Sequence, residues 1–501
     1  MKKGILIDST TLSHIDTIQN PVSFTSFLQE GLGSSESLNN LNEILSRYNQ
    51  SAAASRIEPE ESKIQTEEKT DKSESGVKVV FSYEGEPKKR EVKDFTALFT
   101  VRYNALKSIL QNRKELQNLT SINRLAQKRE REQVALIGLV TNKAVTKTEK
   151  IIMTIEDPTG EIKVMFVPDN DAYDMAKETV MDEVVGVTGS SMGQQIIFGN
   201  SLIIPDMPAY RELKKSPDEA YALFMGDFHF GSNVFITEAF EKFISWIRGE
   251  QGNEKQKEVA RKVKYLFMVG DLVEGVGIYP NQEDDLVIKD IYEQYAEFAK
   301  HIKRIPDHIQ IIICPGNHDA MRIAEPQPPL YKDFAAPVWE LPNVTMVSSP
   351  SYVNIHSSDA FPGFDVLMYH GFSFPYYADV VESIRSQGGQ ERVDLIMKFL
   401  LQRRHLAPAH KSTLYLPDAD KDSLVIDKIP DFFATGHIHR VEASSYRNIT
   451  LLSCSCWLST TEFQEKMGLH PQPGRAILAN LQTRKVKILK FYDEKEEQKD
   501  E

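Results

Sequence analysis

The spacing of apolar residues changes along the chain, and each change predicts a different kind of element. Over residues 1–50 they recur at helical intervals, around Phe24 to Leu28 and in the run LNNLNEILSRY, which predicts a small helical domain. Residues 51–76, SAAASRIEPEESKIQTEEKTDKSESG, lose nearly all large apolar side chains and fill with Glu, Lys and Ser. Such a stretch cannot bury enough surface to fold alone and reads as a disordered linker. Residues 77–132 join a strand-like VKVVFSY to a helical stretch with Leu98, Val101, Ala105 and Ile109 at helical spacing. The same stretch carries Lys107, Arg113, Lys114, Arg124, Lys128, Arg129 and Arg131, which suits either a surface lying along DNA or a solvated helix face.

From 133 to 210 the pattern shortens to β-branched runs broken by turn residues: VALIGLV, KIIMTIEDPTGEIKVMFV, DEVVGVTG, QQIIFG and SLIIP. The Asp157-Pro158-Thr159-Gly160 turn is a hairpin signal, and strands at this spacing predict a small barrel of the OB-fold type. Such barrels bind single-stranded nucleic acid by stacking bases on aromatic side chains; here Phe166 and Phe198 are the only strand candidates, so subunit docking is an equal reading. Residues 220–492 then alternate buried strands with helices, in YALFMGDFHFGS, VKYLFMVGDLVEG, IQIIICPGNHD, DVLMYHG and DFFATGHIH. That alternation predicts an α/β sandwich whose functional loops follow strand ends. Residues 493–501 read as an acidic tail.

Composition narrows the options. With 501 residues and 41% hydrophobic content the chain is long enough for several cores, so the fold class is multi-domain α/β. The 59 Lys and Arg against 72 Asp and Glu leave a net charge of −13, which excludes a protein gripping nucleic acid over its whole surface. Cys314, Cys454 and Cys456 are too few and too poorly spaced for a disulfide framework, which with the lack of a signal peptide or membrane span predicts a cytoplasmic protein.

The chemistry sits at the five strand ends. They carry Asp227 and His229, then Asp271, then Asn317, His318 and Asp319, then His370, and finally His437 and His439. Singly, a Gly-Asp pair is usually a turn and a buried histidine a core residue. Jointly and in this order they form a donor set for two divalent metals, the arrangement that generates a nucleophile and stabilises an in-line displacement at phosphorus. Asp-x-His and His-x-His place both side chains on one side of an extended segment, because side chains alternate with period two. Imidazole and carboxylate ligands suit Mn²⁺ and also accept Fe, Zn or Ni.

GDFHFGS, GDLVEG, PGNHD, YHG and GHIH are similar to the five motifs of the calcineurin-like phosphoesterase family, whose fold is an αββα sandwich. The resemblance implies that Asp227, His229 and His439 bind one metal, that Asn317, His370 and His437 bind the other, and that Asp271 bridges both. It implies His318 as the acid near the leaving oxygen, oriented by Asp319. The second motif departs from the family at Glu274, where relatives often carry Asp at a position that is not a ligand. A barrel directly before the phosphoesterase, behind a linker and a small N-terminal domain, resembles the small subunits of archaeal family D DNA polymerases. That resemblance implies a 3′–5′ exonuclease acting on single-stranded or mismatched 3′ ends, with a large catalytic subunit as partner. A standalone phosphoesterase on nucleotides or phosphoproteins, and a mainly structural accessory subunit, remain as alternatives. Aromatic loops after Met321 and His370, including Tyr376 and Tyr377, offer surfaces for stacking on unpaired bases or simply pack the loops.

Overall fold

The structure, a computed structural model, describes residues 76–85, 88–126, 132–168, 170–191, 196–466 and 468–493. The expected N-terminal helical domain, the linker up to residue 75, the tail beyond Asp493, and Lys128, Arg129 and Arg131 lie outside the described residues. No helix among those described is long and apolar enough to cross a membrane.

Strand β1 (Val77–Ser82) and helix α1 (Val92–Leu110) precede a closed five-stranded barrel. The barrel consists of β2 (Gln133–Val145), β3 (Ile151–Asp157), β4 (Gly160–Phe166), β5 (Val184–Ser191) and β6 (Ile196–Ile203), joined in the order β2-β3-β4-β6-β5. The β3–β4 hairpin closes on Asp157, whose Oδ1 accepts from the Thr159 amide at 2.8 Å and whose Oδ2 accepts from the Ile122 amide at 3.0 Å. An Asp side chain bonding its own backbone two residues on is what favours this residue at a turn. Ile196 to Gly199 and Ser201 to Ile203, parts of two runs that read as separate, belong to the single strand β6. Phe166 is wholly buried in the barrel core, so it offers no face to a base.

The larger part of the chain is built on two six-stranded sheets. One follows the order β10-β9-β8-β7-β16-β17, formed by β7 (Tyr221–Met225), β8 (Val263–Val269), β9 (Gln310–Cys314), β10 (Val344–Met346), β16 (Arg475–Asn480) and β17 (Val486–Lys490). The other follows β1-β11-β12-β13-β15-β14, with β11 (Ser351–Ile355), β12 (Phe364–Met368), β13 (Phe432–Thr435), β14 (Glu442–Tyr446) and β15 (Ile449–Ser453). β1 pairs antiparallel with β11, Val77 opposite Ile355, so this strand belongs to the sandwich although the barrel separates the two in sequence.

Alternate residues of the central strands face opposite apolar layers. Ala222, Phe224, Tyr265, Phe267 and Ile312 pack between the sheets. Leu223, Met225, Leu266, Met268 and Ile311 pack outward against α2 (Thr237–Ile247) and α3 (Ile291–Ile302). Burial on both faces is why these strands read as unbroken apolar runs. On the far side, Leu367 and Phe433 pack against α4 (Val393–Arg403), which completes helix, sheet, sheet and helix layers.

α1 joins the two bodies rather than lying free. Its buried stripe is Leu98, Arg102, Tyr103, Leu106 and Leu110, and Tyr103 donates to the Ile137 carbonyl of the barrel at 3.3 Å. On the sandwich side the wholly buried Arg102 donates through Nε to Asp422 Oδ2 at 2.7 Å and through Nη1 to the Pro408 carbonyl at 2.8 Å. Its guanidinium lies between the rings of Phe99 and Tyr415, 5.0 and 5.1 Å from their centroids. The barrel's buried Glu183 also meets Arg403 at 3.4 Å.

Candidate metal centre

The parallel pairing of β7 with β8 and of β8 with β9, and likewise of β12 with β13, brings their C-terminal ends to one edge of the sandwich. The motif residues follow those ends directly: Asp227 after Met225, Asp271 after Val269, Asn317 after Cys314, His370 after Met368 and His437 after Thr435. Loops at such ends are where α/β folds bind ligands.

The backbone turns sharply there. Asp227, His229, Asp271, His437 and His439 all have left-handed φ, between 49° and 70°. Non-glycine residues in this region cost free energy and concentrate at functional sites. Two motif glycines are required by close approach. A Cβ on Gly316 would lie 2.2 Å from Asp271 Oδ1, and one on Gly436 would lie 2.6 Å from Asp227 Oδ2.

The donors converge into two nests, linked by a third group in which His229 and Asp271 meet His318. Asp227, His229 and His439 present ligand atoms to one another in the first; Asp271, His370 and His437 do so in the second. His229 Nε2 stands 3.2 Å from His439 Nε2, and His439 Nε2 stands 3.4 Å from Asp227 Oδ1. His370 Nε2 lies 3.0 Å from Asn317 Oδ1 and 3.2 Å from Asp271 Oδ2, while His229 Nε2 lies 3.7 Å from the same Asp271 oxygen. One oxygen thus faces both nests. Lone-pair donors from separate loops crowded this closely repel one another unless a proton or cation lies between them, so the residues fit a pair of divalent ions.

The outward ring nitrogens are engaged elsewhere, which fixes the rings. His370 Nδ1 meets the Val269 carbonyl at 2.9 Å, His229 Nδ1 meets Glu274 Oε2 at 2.8 Å, and the Gln464 amide lies 2.9 Å from His439 Nδ1. Partners of this kind orient metal-ligating imidazoles.

Electrostatics without metal show the strain of the arrangement. Burial opposes ionisation of Asp271, but the surrounding imidazoles of His370, His318 and His229 outweigh it and hold the carboxyl well below the usual range. Burial lowers His370, yet the Asp271 carboxylate overcomes this and raises it to about 9. Burial, reinforced by the neighbouring His370 charge, pushes His437 down to about 3.

His318 occupies the rim. Its amide donates to Asp271 Oδ1 at 2.8 Å and its Nδ1 donates to the Glu274 carbonyl at 2.9 Å, which leaves Nε2 directed away from that anchor. Burial lowers its pKa from the ordinary histidine value. The expectation that Asp319 orients this ring requires correction. Asp319 is buried and accepts from the Gly316 amide at 2.8 Å, the Leu272 amide at 3.2 Å and the Tyr295 hydroxyl at 3.1 Å. It ties the Asp271 loop to the Asn317 loop, and burial together with the Asp271 charge raises it to about 7.

Sequence reasoning passed over Gln282, Gln294 and Gln464, buried polar residues with no motif of their own, and it noted Glu274 only as a departure at a position that is not a ligand. The stacking surfaces it suggested are reduced as well. Tyr377 is fully buried, its hydroxyl bonded to Ser412 Oγ at 2.9 Å and to the Ala409 amide at 3.0 Å. Tyr376 is half-buried, and Phe372, also half-buried, sets its ring 5.7 Å from that of His437.

Residues 221–441 match the family model described as calcineurin-like phosphoesterase, and the sandwich with its paired nests places this part of the chain in that class. Over 402 residues the chain is 38% identical to the DNA polymerase II small subunit of Methanothermobacter thermautotrophicus, covering 80% of each chain. It is 36% identical to the small subunit of Archaeoglobus fulgidus, covering 80% of this chain and 78% of that one. The chain belongs to the family of archaeal DNA polymerase II small subunits. Against the Pyrococcus abyssi member, 36% identical, it spans 63% of the relative's length.

Proposed function

We propose that this chain is the nuclease-bearing subunit of a heteromeric DNA polymerase, a two-metal phosphodiesterase that removes nucleotides from the 3′ end of DNA. The observation that carries the reading is the pair of donor nests that one Asp271 oxygen faces, with His318 at their rim. Asp227, His229 and His439 would hold one ion and Asn317, His370 and His437 the other, with Asp271 placed to serve both. When bound, such ions supply hydroxide near neutral pH and neutralise the phosphoryl oxygens, and the mixed imidazole and carboxylate set suits Mn²⁺.

The chain's own residues do the rest. With Nδ1–H committed to the Glu274 carbonyl, His318 acts as acid in its imidazolium form, whose second proton sits on Nε2 and is given up readily because burial lowers the pKa of the ring. As the bond between phosphorus and the 3′ oxygen breaks, that proton passes to the departing oxygen, leaving a 3′ hydroxyl on the shortened strand. Asp319 keeps the loops carrying Asp271 and Asn317 in register. The barrel, read as an OB-fold, serves docking first, because α1 clamps it to the sandwich and Phe166 is buried, which leaves only the half-buried Phe198 of the two strand aromatics to meet a base. Polymerisation and the rest of the DNA path fall to a large partner subunit.

The test is a 5′-labelled primer–template with a mismatched 3′ end, incubated with Mn²⁺ and the protein alone or with its large subunit. Stepwise shortening from the 3′ end, lost in both Asp271→Ala and His318→Ala, is the expected result. Intact DNA under both conditions beside cleavage of a generic phosphodiester would leave the metal chemistry standing and reject the DNA assignment.

A further inference from the structure

Glu274 occupies the one position at which this chain's second motif departs from its family, and its surroundings are more elaborate than a non-ligand needs. The residue is buried, at 4% exposure. Its side chain meets His229 Nδ1 at 2.8 Å, while its backbone carbonyl accepts from His318 Nδ1 at 2.9 Å. The carboxylate stands farther from His318, at 3.8 Å. One residue thus meets both histidines, the metal-facing ring through its side chain and the acid through its main chain.

The position is braced from behind. Gln282 Nε2 donates to the Glu274 carbonyl at 3.1 Å, and the Tyr279 hydroxyl lies 3.3 Å from Oε1 while also donating to Asp285 at 3.0 Å. Gln294, itself wholly buried, holds the next residue from both sides, accepting from the Gly275 amide at 2.9 Å and donating to its carbonyl at 3.2 Å. A carboxylate on the outward nitrogen of a ligating imidazole fixes the tautomer and makes the inward nitrogen a stronger donor.

We propose that Glu274 is a positioning residue for one metal only, the ion held by Asp227, His229 and His439, and that it acts through His229. This rests on the two-metal reading above. It predicts an asymmetric loss: weakening this carboxylate selectively weakens one of two sites, and excess metal restores turnover because the carbonyl that holds His318 survives the change of side chain.

The experiment is calorimetric titration of the full chain with Mn²⁺, comparing wild type, Glu274→Gln and Glu274→Ala, with thermal melts to register fold. Wild type should bind two ions; both variants should bind one with unchanged affinity and the other roughly 10- to 100-fold more weakly. Cleavage of a phosphodiester substrate by Glu274→Gln should then approach the wild-type rate at saturating Mn²⁺, whereas His229→Ala should stay inactive. Two unaltered sites in both variants, or an equal loss at both sites, would overturn the inference. A wild-type chain that binds fewer than two ions would instead reject the two-metal reading on which it rests.

Discussion

Replacing Arg102 by Met should flatten the way stability responds to pH. In the native chain Arg102, Asp422 and His405 form a buried cluster, with His405 Nε2 3.0 Å from Asp422 Oδ2 and His405 Nδ1 accepting from the Ala407 amide at 2.9 Å. Accepting at one nitrogen and donating at the other requires the neutral ring. Burial, with the Arg102 charge adding to it, lowers His405 from 6.5 to about 4. A histidine depressed in the folded state contributes its full stability above the unfolded value, and that contribution is lost as pH falls toward the folded value. The window therefore runs from 6.5 down to about 4, and at about 1.4 kcal/mol per pKa unit the loss across it is about 3 kcal/mol. In Arg102→Met at pH 7.5, Asp422 is left buried without its cation, a change that costs about 3–5 kcal/mol. Losing the Arg102 charge removes the smaller of the two causes that lower His405, while burial and the Ala407 amide remain, so its folded value rises part of the way toward 6.5 and the variant loses less stability on mild acidification. Urea unfolding followed by tryptophan fluorescence at pH 7.5 and 5.5 measures both curves. The drop between these conditions should be smaller in the variant than in wild type; parallel curves would refute the cluster as the origin of the effect.

Two other predictions concern the metal centre. Because His370 stands near 9 without metal, ion binding should release a proton and tighten as pH rises from 6 toward 9, read by titration in buffers of different ionisation enthalpy; pH-independent binding would contradict the geometry. Asp319→Asn should lower metal affinity and thermal stability together, because it weakens the tie to the Gly316 and Leu272 amides. A variant with slower turnover but unchanged binding and melting would return Asp319 to the role of orienting His318.

The motif strands are legible in sequence because burial on both faces writes an uninterrupted apolar run, and the Gly that follows marks a turn no larger residue can enter. What escapes are relations between distant segments. Nothing in VKVVFSY announces that Val77 lies opposite Ile355. Arg102 carries no signal of its own in the sequence, and only Asp422, more than three hundred residues away, makes it a core residue. Phe166 and Tyr377 are aromatic in a plausible place, yet packing takes up both. Within the site, the residue types reveal which side chains bear the chemistry, but the partner of each is set by which loop packs against which. For that reason Asp319, adjacent to His318 in sequence, turns away from it, while Glu274 reaches it through the main chain.

The left-handed turns at Asp227, His229, Asp271, His437 and His439 set a standing tension between endurance and activity. Each such conformation costs a non-glycine residue on the order of 1 kcal/mol or more, a charge on the fold that the sheet ends beneath it must offset. Glycine at any of these positions would relax the backbone while deleting a ligand.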